Sequence, residues 1–381
     1  MIRIDAEFES GNVAEAAICA PDRVDLSIRR DAHSEHYQWF HFRIHGAKGQ
    51  TIQFRILNAG GASYSDGWKV HQPVLSADQM QWERIEHTDY DGAVYSFTAK
   101  IESDPAYLAY FYPYTTSDLE QFLESTCDHP AARRRELTRS VQGRPVHWIE
   151  VAEPEAYEPV RHSVWIIGRQ HPGEPQGTGC AAGLLAMLLG ESPEAARLRR
   201  QCVFHVIPDI NPDGVANGHH RTNAKGFNLN RAWKNPAPED TPSIYAFQQI
   251  VKQWKQDRPI DLFIDLHSDE IERANVVYGI SEEVTRADYQ KRQAKLLGLL
   301  QEENSDFSAE LSRYYSGLDT RLARQWMFVE TGALSYTYEM TYHDAPYSRY
   351  DGNPMTPQRV FELGQALGRA LARYFDEGQG V

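Results

Sequence analysis

Between residues 146 and 278 the chain alternates short apolar runs with segments that carry helix-start signals, and few folds accept that pattern. Val146–Val151, Val164–Ile167, Val203–Ile207, Leu262–Leu266 and Val276–Tyr278 have strand length and are largely apolar. Ser192-Pro193 and Thr241-Pro242 each place an N-cap residue before a proline at the first helical position. Thr356-Pro357 does the same for a last helix, in which Val360, Leu363, Leu367, Leu371 and Tyr374 recur at helical spacing. Gly179 to Leu189 is the longest apolar run. It falls short of the ~18 residues of a membrane span and reads as a buried helix. Apolar strands joined by helices predict an α/β domain with a mixed, mostly parallel sheet flanked by helices.

Residues 1–116 read differently. They are rich in Tyr, Trp and Phe and poor in helical periodicity. Tyr37–Ile44 alternates, with Phe40, Phe42 and Ile44 on one face. Gly46-Ala-Lys-Gly49 turns, and Thr51–Leu57 returns, which predicts a hairpin. Val94–Ile101 and Tyr107–Tyr112 add strands. An N-terminal antiparallel β-sandwich over 1–116 is the expected solution. At Ser117 a capping box, Ser117-Asp-Leu-Glu120, opens a short helix through Leu123. The basic stretch His129–Arg135 after it reads as a boundary. The expected second domain spans 117–381. At roughly 100–200 residues per domain, 381 residues fit this division.

The net charge of -14 counts against general nucleic-acid binding, which needs a cationic face. An acidic substrate stays open, because a pocket needs only one or two local arginines. Cys19, Cys127, Cys180 and Cys202 lie far apart with no CxxC and read as reduced thiols. The N-terminus carries Asp5, Glu7 and Glu9 and no apolar core of a secretory signal. A cytoplasmic protein with no membrane association is therefore expected.

Four features carry chemistry. His171-Pro-Gly-Glu174 follows the strand Val164–Ile167 and precedes a helix. Open α/β sheets bind ligands beyond the carboxyl ends of their strands. An imidazole and a carboxylate across a Pro-Gly turn can converge on one zinc ion, or can be two polar residues of a surface loop. His267 ends the apolar strand Ile260–Leu266 and offers a third ligand, with Asp265 on the same face as an acceptor for it. The competing reading is a satisfied histidine at a strand end. Asn211-Pro-Asp-Gly214 through Arg221 to Asn228-Leu-Asn-Arg-Ala-Trp233 is a long irregular segment, a type that tends to be functional. Asn230 and Arg231 are residue types that clamp a carboxylate, or else Asx-turn residues beside solvated arginines. In Ser335–Thr341 alternation sets Tyr336, Tyr338 and Met340 on one face and Ser335, Thr337, Glu339 and Thr341 on the other. Glu339 is there either a solvated strand residue or a general base.

Taken in this order, the set resembles the M14 zinc carboxypeptidases. Ser140-Val-Gln-Gly-Arg-Pro145 is similar to that family's Ser-x-x-Gly-Arg-Pro signature. Tyr37–Ile44, Ser63-Tyr-Ser-Asp-Gly-Trp68 and Tyr110-Phe-Tyr-Pro-Tyr-Thr115 are similar to the β-domain of cytosolic carboxypeptidases. The Asn211–Arg231 segment is similar to their catalytic domain. The resemblance implies one zinc per chain on His171, Glu174 and His267. It implies Glu339 as general base and Arg221 as the group that polarises the scissile carbonyl and holds the oxyanion. Asn230 and Arg231 would grip the terminal carboxylate of a peptide or protein tail. Arg324, fifteen residues before Glu339, falls where family members carry the base of the specificity pocket, and arginine there implies an acidic terminal side chain. The family's closing tyrosine is expected a little over twenty residues before Glu339. Gly317 lies nearest that spacing, with Tyr314 and Tyr315 close by. Two rivals share parts of the pattern: a zinc deacylase of N-acyl amino acids, and a non-catalytic protein that binds carboxyl tails.

Overall fold

Alternation of large apolar residues makes the first part of the chain a two-layer β structure. The computed structural model describes residues 1–157, 159, 162–343 and 355–376. Its strands are β1 (Arg3–Asp5), β2 (Glu15–Ala20), β3 (Arg23–Ser27), β4 (His41–His45) and β5 (Thr51–Ile56). They continue with β6 (Val74–Ser76), β7 (Trp82–Arg84), β8 (Thr88–Tyr90), β9 (Tyr95–Lys100) and β10 (Ala106–Ala109). One five-stranded sheet has the order β1-β4-β10-β6-β7 and the other β2-β3-β5-β9-β8. Pairing is antiparallel except between β3 and β5.

The expected hairpin does not form. β4 and β5 belong to different sheets, and the turn carries the chain from one sheet to the other. Gly46 and Gly49 take φ of +71° and +84° to make that crossing, a region glycine enters without a Cβ penalty. Alternation dictates which face of a strand is buried but not which strand completes its hydrogen bonds. Here Phe42 faces Phe54 across the layers at 5.6 Å and Phe40 lies 6.0 Å from Phe97. The aromatic core therefore forms between sheets.

The second part contains β11 (Ala132–Arg139), β12 (Pro145–Val151), β13 (His162–Gly168), β14 (Cys202–Ile207), β15 (Leu262–Asp269), β16 (Val276–Ile280), β17 (Arg313–Tyr315) and β18 (Leu334–Thr341). They form one sheet in the order β11-β12-β14-β13-β15-β18-β16-β17. Its centre, β14-β13-β15-β18, is parallel, and antiparallel pairs flank it. The basic stretch expected to mark a boundary begins the edge strand β11. Arg133 and Arg135 there face the buried Glu150 of β12. Charged side chains suit an edge strand, because they discourage pairing with another chain. Ser140–Arg144 is the tight turn joining β11 to β12, with Gly143 at φ +84°.

The helices are α1 (Thr116–Thr126), α2 (Pro175–Leu188), α3 (Pro193–Gln201), α4 (Pro212–Ala216), α5 (Pro242–Trp254), α6 (Ala287–Glu303), α7 (Ala323–Thr331) and α8 (Pro357–Asp376). The α1 helix starts at Thr116, one residue before the expected cap. Ser192 and Thr356 cap α3 and α8 by accepting from the N–H groups of Ala195 and Arg359. Thr241 instead donates its hydroxyl to Ala237 O. On one face of the sheet, Phe247, Val251 and Trp254 of α5 and Ala323, Trp326 and Met327 of α7 pack with Trp165 and Phe263. Among the described residues, no helix is long and apolar enough to cross a membrane.

The chain divides into two compact units. One is Met1–Thr116 together with His171–Pro175 and Asp213–Phe227. The other is Ser117–Gln170, Gln176–Pro212 and the residues from Asn228 onward.

Candidate active site

Parallel neighbours end on the same edge of a sheet, and there the polar residues gather. β15 shows the change along one face. Phe263 belongs to the apolar core, Asp265 and His267 do not, although all three alternate onto the same side. On β18 the matching face reads Ser335, Thr337, Glu339, and register sets Asp265 opposite Thr337 and His267 opposite Glu339.

The chain leaves β13 through Gly168. A Cβ there would lie 2.8 Å from Pro208 O and 3.0 Å from Gly177 O, so the first turn of α2 approaches because both residues are glycine. Arg169 follows at φ +63°, buried, in a conformation that non-glycine residues rarely adopt. It redirects the backbone into Gln170 and His171.

His171, Glu174 and His267 are all buried, and one ligand atom from each lies within 4.8 Å of the others. The Nδ1 of His171 is 2.7 Å from Glu174 Oε1. Two imidazoles and a carboxylate are the donor set that suits zinc with an open coordination position, so the residues fit the metal. His267 is held by a buried relay. Trp233 Nε1 donates to Gln170 Oε1 at 2.8 Å, Gln170 Nε2 donates to Asp265 Oδ2 at 2.7 Å, and that oxygen lies 3.0 Å from His267 Nε2. The tautomer with its proton on Nε2 donates to Asp265 and keeps the Nδ1 lone pair for a cation. Sequence reasoning singled out Asp265 and missed Gln170 and Trp233. The adjacency of Gln170 to His171 was the one local signal.

Glu339 is half-buried in a strand whose other residues are buried. Beside it, Arg324 is buried, its Nη1 donating to Thr337 Oγ1 at 3.1 Å and its guanidinium 4.8 Å from the Tyr315 ring. Among the described residues, Arg324 Nε has no hydrogen-bond partner. Burial lowers the Arg324 pKa from its ordinary value, against the opposing pull of Tyr315, Glu339 and Asp265. Tyr278 on β16 lies near the same groups; burial, then the charges of Glu339 and Asp269, raise its hydroxyl pKa. Tyr314 and Tyr315 lie on β17, partly exposed.

Asn230 is buried. Its Oδ1 accepts from the Ala323 N–H at 3.1 Å and its Nδ2 lies 3.4 Å from His267 Nε2. Arg231 beside it is exposed, with Nη1 donating to Asn230 O at 2.7 Å. In the N-terminal unit, the Arg221 guanidinium lies 5.1 Å from the centre of the Tyr64 ring.

Residues 4–111 match the cytosolic carboxypeptidase N-terminal domain, and residues 119–353 match the zinc carboxypeptidase family. The chain belongs to the M14 zinc carboxypeptidase family and is a metallocarboxypeptidase with a cytosolic carboxypeptidase N-terminal domain. It is similar to a metallo-carboxypeptidase from Burkholderia cenocepacia, with a TM-score of 0.93 and 31% identity over 99% of this chain and 100% of that one. A metallo-carboxypeptidase from Pseudomonas aeruginosa, solved in complex with (2-guanidinoethylmercapto)succinic acid, has a TM-score of 0.91 and 30% identity over 98% and 99% of the two chains. Cytosolic carboxypeptidase 6 of Caenorhabditis elegans is 28% identical over 99% of this chain and 88% of its own length.

Proposed function

We propose that the protein is a cytoplasmic, zinc-dependent exopeptidase, with one ion per chain, that removes acidic residues from the carboxyl ends of peptides or proteins. In this reading residues 1–116 form the β-sandwich domain and 117–381 the catalytic domain. His171, Glu174 and His267 hold the metal. A zinc ion there supplies Lewis acidity, polarising a carbonyl and acidifying water. Glu339 accepts the proton of the attacking water and delivers it to the leaving amine. Arg221 donates to the carbonyl oxygen as negative charge develops on it, an interaction worth most in the transition state. Asn230 and Arg231 grip the terminal carboxylate, so an internal peptide bond, which has none, is a poor substrate.

The observation that carries the acidic preference is Arg324. A guanidinium buried next to Thr337 and within the field of Glu339, its Nε lacking a partner among the described residues, is costly to leave unsatisfied. A carboxylate side chain supplies both the acceptor and the counter-charge. With a net charge of -14, attraction of an anionic tail has to come from such a local cation. The test compares peptides ending in Glu, Leu and Lys, cleaved by the wild type and by Arg324→Ile. The wild type prefers Glu. The variant loses on the order of 2–5 kcal/mol toward Glu and gains relative activity on Leu. Equal cleavage of all three by the wild type rejects the acidic preference and leaves the carboxypeptidase assignment standing.

A further inference from the structure

The segment Asp213–Phe227 follows β14 in the sequence, yet it folds as part of the compact unit formed by residues 1–116. Its central residues are held by one buried carboxylate. Asp31 Oδ1 accepts from the His220 N–H at 2.7 Å. Its Oδ2 accepts from the N–H groups of Arg221 and Thr222, each at 2.8 Å, and from the Thr222 hydroxyl at 3.1 Å. The backbone on either side of Arg221 is thus fixed through a single side chain about 190 positions away in sequence. Further bonds anchor the approach to this point. Asn12 Nδ2 donates to Gly218 O at 2.7 Å, Arg29 Nη2 donates to Asn217 O at 2.9 Å, and His219 Nε2 accepts from the Ala32 N–H at 3.1 Å.

The Arg221 side chain has its own support, the Tyr64 ring beneath its guanidinium at 5.1 Å. Tyr64 is itself pinned. Gln38, fully buried, accepts from the Tyr64 N–H at 2.7 Å and donates to Tyr64 O at 3.2 Å. A cation over a ring face is attracted by the ring quadrupole and loses freedom to swing. Backbone and side chain of Arg221 are therefore both constrained from residues 1–116.

We propose that Asp31 and Tyr64 are positioning residues for Arg221, which gives the N-terminal unit a direct part in catalysis. The inference rests on the reading of Arg221 as the oxyanion-holding group. Placement matters steeply there, since a misplacement of about 1 Å in a catalytic constellation can cost ~10²-fold. Asp31→Asn is informative because an amide keeps one acceptor oxygen and turns a donor toward N–H groups that need acceptors.

The experiment measures kcat, KM, metal content and thermal melting for Asp31→Asn, Tyr64→Leu, Arg221→Ala and the two double variants with Arg221→Ala. The expected result is a fall in kcat of roughly 10- to 100-fold for Asp31→Asn, with KM little changed and metal retained, because an interaction made only in the transition state lowers kcat and kcat/KM together. In the Arg221→Ala background neither substitution slows the enzyme further, the non-additivity of groups that act as one. Full kcat in Asp31→Asn or Tyr64→Leu overturns the proposal while an inactive Arg221→Ala leaves the oxyanion reading intact. Effects that multiply with Arg221→Ala also overturn it, since they mark a general structural role. Full activity in Arg221→Ala removes the oxyanion reading and the proposal together. If Asp31→Asn does not fold, the Tyr64→Leu cycle decides alone by the same criteria.

Discussion

His267 and Glu339 are register partners, opposite each other in the parallel pairing of β15 with β18. A candidate metal ligand and a candidate base thus come from adjacent strands, on one face and at one level of the sheet. The backbone hydrogen bonds of the two strands hold their relative position, so neither depends on a loop for its placement. Their functions are separable by mutation.

Replacing His267 by Ala removes one of three candidate ligands and leaves Asp265 and Gln170 without their histidine. Metal analysis is expected to find about one equivalent of zinc in the wild type and little in the variant. Retention of a full equivalent excludes His267 from the metal set.

Glu339→Gln preserves shape and removes the candidate base. Zinc stays bound, KM changes little and kcat falls by roughly 10²–10⁴. The readouts are metal content and steady-state kinetics on one peptide. A variant as fast as the wild type assigns the proton transfer to another group.

His41 gives a pH prediction of definite sign. Complete burial lowers its pKa to about 3, so the folded chain keeps the imidazole neutral. The unfolded chain takes up the proton near pH 6.5. Between these values the unfolded state binds more protons, and stability falls as pH falls. From pH 6.5 to 5 this one group contributes a loss of about 2 kcal/mol. Urea unfolding of the wild type and of His41→Gln at both pH values measures it. The variant declines less steeply, and parallel declines assign the pH dependence to other groups. His205, buried and also held well below the ordinary histidine range by burial, adds a dependence of the same sign in the second unit.

Gly364→Ala tests the crossing of α2 and α8. A Cβ on Gly364 would lie 1.9 Å from Cys180 O, and one on Gly183 1.9 Å from Phe361 O. Backbone cannot yield as a flexible side chain does, so the helices must separate. A destabilisation of about 1–3 kcal/mol is expected in thermal or urea unfolding, although alanine is the better helix former. An unchanged melting point means that the two helices separate at little cost.

Period-2 and period-3.6 patterns are properties of a few consecutive side chains, and so β13, β14, β15 and α8 were legible in the sequence to within a few residues, as was the mostly parallel class of sheet. The residue types of His171, Glu174, His267 and Glu339 were legible for the same local reason. What lies far apart in the chain was decided by tertiary packing. The alternation of β4 and β5 suited a hairpin as well as the two-sheet arrangement, until Phe42 met Phe54. Arg321 and Arg324, three positions apart, could share one solvated face; packing instead buries Arg324 against Thr337 and leaves Arg321 exposed, paired with Asp319. No local pattern links Asp31 to Arg221, because their contact is made by folding across about 190 residues. Sequence determined which side chains were available as ligands, bases and cations. Only the tertiary structure decided which of them lose water and face one another, because burial and dielectric are set by distant neighbours rather than by adjacent residues.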